Sequence, residues 1–128
     1  MTDVDLGREE LAAAGKLVES GFPRQAISRA YYAAFYAARA AIDAAGERSP
    51  KTHSGMRSRF SDLARSTPAL GSDVGRALSQ LGTGRTEADY DEPTMTAEDA
   101  NEAIDKARHV VDAVERAIAE GLGPEPSS

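Results

Sequence analysis

The chain has 128 residues, the size of one domain, and a compact fold of this length buries about two-thirds of the extended chain's surface. Its formal net charge is −6, and it contains no cysteine, which excludes disulfides, thiolate zinc sites and cysteine nucleophiles. Because the N-terminus is acidic and no apolar run approaches the roughly 18 residues of a membrane span, we expect a cytoplasmic protein without a membrane partner.

The apolar residues are mostly small. Leucine, isoleucine, valine and phenylalanine together number 21, whereas alanine alone numbers 24. A buried alanine contributes less than a buried leucine, by roughly 0.8 kcal/mol per missing CH2 group. We therefore expect self-association, as a homodimer, to add to the buried surface.

The first two helices are predicted to lie antiparallel. Apolar periodicity places the first over residues 3–20, with Thr2 or Asp3 as its N-cap and Gly21 at its end. The second is a helix of roughly 22 residues between Gly21 and Gly46 with Pro23 in its first turn, and its stretch Ala26–Ala45 is apolar around much of the circumference. Since such a helix must be covered on several sides, we expect it to be the central helix of a bundle.

Two further helices are predicted in the middle of the chain. The third has Ser49 as N-cap and Pro50 in its first turn, and it runs to about Arg65. The fourth covers about 70–89. Gly82 and Gly84 predict a kink or a loosened turn in it, because each glycine costs about 1 kcal/mol relative to alanine in a helix interior.

The last helix is predicted to begin at a capping box formed by Thr96 and Asp99 and to end at Gly121. The pattern as a whole indicates an all-α, up-and-down bundle of four to five helices. We assign residues 1–121 to this bundle and 122–128 to a disordered tail, because the tail consists mostly of Gly, Pro, Glu and Ser.

Charge is distributed unevenly along the chain. Residues 22–66 have a local balance of +5, so the remainder carries −11. One interpretation is internal complementarity, in which basic helices pack against acidic ones. The other is a basic surface for the phosphates of RNA or nucleotides, since such contacts need clustered lysine and arginine.

Two polar strings are not explained by the packing of a bundle, namely Lys51-Thr-His-Ser-Gly55 and Arg85-Thr-Glu-Ala-Asp-Tyr90. A third string, Arg29-Ala-Tyr-Tyr-Ala-Ala-Phe-Tyr36, lies in the central helix. In their order and spacing along the chain, the three strings resemble the signature of the HEPN family, the helical domains named for higher eukaryotes and prokaryotes nucleotide-binding. The resemblance covers roughly residues 5–120.

The resemblance implies a fold, a partner and an activity. HEPN proteins are up-and-down helical bundles that usually form homodimers, and many are toxins paired with a minimal nucleotidyltransferase that acts as the antitoxin. Active members are metal-independent RNases, so no cofactor is expected. Their motif is an arginine followed, after four to six residues, by a histidine. The histidine can take the 2′-hydroxyl proton while the arginine stabilises charge on the phosphate.

Arg85 matches the motif arginine, but the positions where the motif histidine would stand hold Tyr90, Asp91 and Glu92, and Gly84 stands where a large apolar residue is usual. A tyrosine such as Tyr90, whose ordinary pKa is near 10, is a poor base at neutral pH. Related partners adenylylate a tyrosine near this motif, which makes Tyr90 a candidate for modification. The candidate catalytic residues are Arg85, Asp89, Tyr90 and His53, and the candidate binding residues are Arg29 and Lys51.

Each candidate also has a purely structural interpretation. Arg85 and Asp89 can form a surface ion pair, Tyr90 can belong to the core, and His53 can serve only a helix end. Arg29 must reach the surface or pair with a carboxylate such as Asp89. A polar turn before Pro93 explains the nearby acidic residues better than a metal site does. The aromatic residues expected to pack in the core are Tyr31, Tyr32, Phe35 and Tyr36.

The alternative function is a non-catalytic module that binds a nucleotide or docks a partner. A scaffold that binds without turnover would fit this interpretation, and a purely structural interaction protein would show neither binding nor turnover.

Overall fold

The computed structural model describes residues 1–90 and 94–122, except for the side chains of 87–90. This part of the chain forms five helices and no strand, which confirms the predicted all-α class. The helices are α1 (Asp3–Glu19), α2 (Pro23–Ala44), α3 (His53–Ser66), α4 (Ser72–Tyr90) and α5 (Ala97–Ala119). The predicted turn at 91–93 and most of the predicted tail, 123–128, lie outside the described residues.

Helix α2 is the centre of the bundle, as predicted, and packs against each of the other four helices. Seven of its ten buried residues are alanines, and all seven are fully buried. Small side chains allow neighbouring helices to approach closely. The larger core side chains come mainly from the surrounding helices, with Phe60 of α3, Leu78 of α4 and Val111 of α5 among them.

Helices α1 and α2 lie antiparallel and in close contact. A Cβ atom added at Gly7 would lie 3.0 Å from the carbonyl oxygen of Ala33. Ion pairs of 2.9 Å join Arg39 to Asp3 and Arg29 to Glu10 on either side of this contact. For these two arginines, the positive charge is therefore matched internally by the acidic first helix.

The capping predictions hold for α1 and α5 but not for α3. Thr2 with Asp5, and Thr96 with Asp99, form the reciprocal hydrogen bonds of capping boxes. The N-cap of α3 is Thr52, whose hydroxyl accepts a hydrogen bond of 2.9 Å from the Gly55 amide.

Ser49 is therefore not the N-cap of α3, and Pro50 is not in its first turn. The Ser49 hydroxyl donates to the carboxylate of Asp43 at 3.1 Å. Pro50 lies so close to Gly55 that a Cβ there would be 2.9 Å from the proline Cβ. These two contacts hold the segment before α3 against its neighbours, and the helix begins three residues later than predicted.

Helix α4 is continuous from Ser72 to Tyr90, so the loosened turn predicted at Gly82 and Gly84 is absent. Gly75 and Gly82 pack against α3, whereas a Cβ at Gly84 would meet nothing within 4 Å. A Cβ at Gly75 would lie 3.0 Å from the Ser61 Cα, and one at Gly82 would lie 2.9 Å from the Arg57 Cδ. The side chain of Arg57 thus occupies space that only a glycine leaves open.

We expect Gly7→Ala and Gly15→Ala to have different effects although both lie within α1. A Cβ at Gly15 meets nothing within 4 Å, so Gly15→Ala should raise the free energy of unfolding by up to about 1 kcal/mol. Gly7→Ala should lose most or all of this gain, because its Cβ presses on the Ala33 oxygen. Chemical denaturation measures both values, and equal gains would contradict the close contact between α1 and α2.

Candidate functional site

The buried hydroxyl of Tyr31 is the centre of a polar cluster within the bundle. Tyr31 lies on α2 with none of its surface exposed, and its hydroxyl oxygen is 2.8 Å from Nδ1 of His53. The guanidinium of Arg57 donates to the same oxygen through Nη1, at 3.3 Å. We call the residues gathered here the Tyr31 cluster: Tyr31, Tyr32 and Phe35 of α2, His53 and Arg57 of α3, and Arg85 of α4.

His53 is the first residue of α3, and its ring is held between that helix and α2. The ring stacks on Phe35 with centroids 4.6 Å apart and an interplanar angle of 26°. It also lies 6.0 Å from the Tyr32 ring, edge to face. His53 remains partly exposed, so its imidazole is both held in place and reachable from solvent.

Arg85 approaches the same aromatic residues from α4. Its Cζ atom lies over the Tyr32 ring at 5.3 Å from the centroid and over the Tyr31 ring at 5.6 Å. Such positions are favourable, because the face of an aromatic ring is electron-rich. Gly82, nearly one turn earlier on α4, leaves room for Arg57, so two guanidinium groups reach Tyr31 side by side from different helices.

Arg29 lies nearly one turn before Tyr32 on α2 and contacts the ring of that tyrosine. Its Cζ atom lies 4.8 Å from the Tyr32 centroid, and its Nη1 atom is 2.9 Å from a carboxylate oxygen of Glu10. The carboxylate that pairs with Arg29 is therefore on α1. Tyr32 lies under the guanidinium groups of both Arg29 and Arg85, which fixes the position of its ring.

The environment of the cluster favours uncharged side chains at His53 and Tyr31. Burial, followed by the positive charges of Arg85 and Arg57, lowers the pKa of His53. Burial raises the pKa of Tyr31, although the hydrogen bond from Arg57 opposes this effect. A neutral imidazole therefore lies beside two permanent positive charges, which is a suitable environment for an anion such as phosphate.

The structure brings together two of the predicted site residues, His53 and Arg85, which are 32 positions apart in sequence. Lys51 is exposed in the segment before α3. The side chains of Asp89 and Tyr90 lie outside the described part of the chain.

The sequence pattern predicts Tyr31 as a core residue and does not single out Arg57 as a site residue. The sequence does contain a signal for Arg57 as a site residue, because Arg57 follows His53 by four residues and so shares its helix face. Tyr31 also carries a hydroxyl on a face that is otherwise lined mainly by alanines.

Within residues 1–86 and 94–122, no three His, Asp or Glu side chains are grouped closely enough to hold a metal ion. Over the described residues, no helix is long and apolar enough to cross a membrane.

Comparison with known proteins gives two matches. The family model described as "HEPN domain" matches residues 5–117. A protein of Methanocaldococcus jannaschii named "Putative toxin MJ0605" is 31% identical over 119 residues, which are 93% of this chain and 88% of that protein. The part of the chain that the family model matches contains all of α2, α3 and α4, and with them the whole Tyr31 cluster.

We expect Arg85→Gln to raise the pKa of His53, because it removes one of the two positive charges that disfavour the imidazolium. Arg76→Gln on the exposed face of the same helix is the matched control, and it should leave this pKa unchanged. An NMR titration of the histidine ring protons measures both variants. If the two variants gave the same His53 pKa, Arg85 would not lie beside the imidazole.

Proposed function

Because the chain belongs to the HEPN family, we propose that it is a toxin-type, metal-independent RNase whose Tyr31 cluster binds the phosphate at which RNA is cut. The observation that carries this proposal is the placement of His53 beside Arg85, the residue that matches the motif arginine of the family. The M. jannaschii relative, which is named a toxin, supports the broader toxin-like role.

In this proposal, His53 supplies the imidazole that the motif lacks after Arg85. The motif histidine would come from the same helix as the arginine, whereas His53 comes from the start of α3 and is held by Phe35 and Tyr31. Both arrangements bring an imidazole and a guanidinium to one phosphate. Function therefore depends on the meeting of three helices rather than on spacing along one.

The chemistry proposed is attack of the ribose 2′-oxygen on the adjacent phosphorus, which forms a 2′,3′-cyclic phosphate and breaks the bond from phosphorus to the 5′-oxygen. The 2′-hydroxyl loses its proton to solvent water, and the released 5′-oxygen takes up a proton from solvent. Negative charge grows on the non-bridging oxygens as the new bond forms. Arg85 and Arg57 stabilise this charge, because guanidinium groups are permanently positive and donate several hydrogen bonds. Such fixed charges can take the place that a metal ion has in other nucleases.

The remaining predicted residues have supporting roles in the proposal. Lys51 precedes His53 by two residues and is exposed, so it suits contact with a neighbouring phosphate of the same strand. Arg29 acts through Tyr32, whose ring it covers. Asp89 and Tyr90 follow Arg85 on α4, and we retain Tyr90 as a candidate for modification by a nucleotidyltransferase partner.

We expect the purified protein to cleave single-stranded RNA in the presence of EDTA. Arg85→Gln should lower the cleavage rate about 100- to 1,000-fold, because it removes a charge that stabilises the transition state. His53→Gln should lower the rate by a factor of about 100, because it removes the imidazole that contacts the phosphate. Arg76→Gln, on the exposed face of the helix that carries Arg85, is the control and should cleave at the wild-type rate.

Circular dichroism of each variant shows whether the helices remain folded. Equal cleavage by wild type and Arg85→Gln would overturn the proposed role of Arg85. RNA binding without cleavage, measured by calorimetry, would overturn the RNase assignment and favour the non-catalytic binding module instead.

We also propose that the chain acts as a homodimer, because its central helix buries mainly alanines and family members usually pair. Light scattering at micromolar concentration should give about 27 kDa, twice the 13.5 kDa of one chain. A mass of about 13.5 kDa across that range would contradict the homodimer. The proposed antitoxin, a minimal nucleotidyltransferase, should co-purify with the dimer when both are expressed together.

A further inference from the structure

The hydrogen bonds around the Tyr31 hydroxyl have a defined direction. Arg57 can only donate, since a guanidinium has no acceptor atom and keeps its charge in proteins. Its Nη1 atom is 3.3 Å from the Tyr31 oxygen, so this oxygen is the acceptor. The hydroxyl hydrogen must then find a second partner, and Nδ1 of His53 lies 2.8 Å away.

The alternative direction is unfavourable. If His53 carried its hydrogen on Nδ1 and donated to Tyr31, the phenol oxygen would receive two hydrogen bonds and its own hydrogen would lack this acceptor. Tyr31 is fully buried, and a buried donor without an acceptor costs about 1–3 kcal/mol. Donation from Tyr31 to Nδ1 satisfies all three groups at once.

A neutral imidazole has one N–H group and one acceptor nitrogen. If Nδ1 accepts from Tyr31, the hydrogen is on Nε2. Burial and the charges of Arg85 and Arg57 favour this neutral form over the imidazolium. The charged or titratable groups that face His53 in the described structure are Tyr31 and Tyr32 from α2, Arg57 from α3 and Arg85 from α4.

We propose that Tyr31 is a positioning residue that fixes His53 as the Nε2–H tautomer, so that His53 meets an RNA phosphate as a hydrogen-bond donor and not as a base. The identity of the phosphate rests on the proposed function, whereas the tautomer does not. In the cleavage reaction, the Nε2–H group of His53 then adds a hydrogen-bond donor beside the positive charges of Arg57 and Arg85. The 2′-hydroxyl proton leaves to solvent water, and the 5′-oxygen takes up a proton from solvent as its bond to phosphorus breaks.

Nitrogen-15 NMR of the histidine-labelled protein tests the tautomer directly, in the absence of RNA. At a pH above the His53 pKa, we expect the hydrogen on Nε2 and an Nδ1 signal displaced by an accepted hydrogen bond. Tyr31→Phe should move the Nδ1 signal to the position of an imidazole nitrogen without a hydrogen bond. Tyr36→Phe, on the same helix but without a ring contact to His53, is the control and should change neither signal.

Arg57→Lys keeps a donor-only cation, so it should preserve the Nε2–H form. A hydrogen on Nδ1 in the wild-type protein would overturn the proposal, whatever the variants show. So would an Nδ1 signal that does not respond to Tyr31→Phe in a variant whose spectrum remains that of a folded protein.

The pH dependence of RNA cleavage tests the donor role separately. A donor keeps its Nε2–H in both protonation states, so the rate should show no acid limb at the His53 pKa measured by NMR. A base would lose activity tenfold for each pH unit below that pKa. A limb of this kind would overturn the donor role. The expected tautomer in a protein that cleaves no RNA would support the assignment of Tyr31 while contradicting the proposed function.

Discussion

The hydroxyl of Tyr31 is buried in the middle of a helix whose inner surface is mainly alanine, and it must form hydrogen bonds there. The alanines let four helices approach α2 closely, which leaves little space for water around a polar atom. Partners must therefore come from the neighbouring helices. They are His53 and Arg57, one turn apart on α3, and their attachment to one oxygen fixes how the start of α3 lies on the bundle.

Four arginines of the bundle fall into two pairs with different surroundings. Arg39 and Arg29 of α2 are matched by carboxylates of α1, so their charge contributes to the packing of the first two helices. Arg57 and Arg85 reach Tyr31 instead, and both disfavour the protonation of His53. Internal complementarity, one of the two interpretations of the basic region, therefore holds for Arg39 and Arg29, whereas phosphate binding is what we propose for Arg57 and Arg85.

Local signals in the sequence were sufficient for most helix boundaries and insufficient where tertiary contacts decide. Thr96 with Asp99 is a capping box that needs nothing beyond its own turn. At α3, the predicted cap Ser49 donates to Asp43 instead, and Thr52 accepts from the Gly55 amide as the cap. Gly82 looked like a helix breaker because the side chain that fills its space, that of Arg57, belongs to another helix. The pairing of His53 with Arg85 likewise depends on the packing of α3 against α4 across α2.

A histidine on the same helix as Arg85 would have its distance from that arginine set by helical geometry alone. His53 instead has its distance set by α2, because its ring rests on Phe35 and its Nδ1 atom contacts Tyr31. This arrangement uses up one imidazole nitrogen, since a nitrogen that accepts from Tyr31 cannot also accept a proton from a substrate. The contact that positions the imidazole therefore also restricts its chemistry, and in the proposed RNase it leaves His53 suited to binding phosphate rather than to removing a proton.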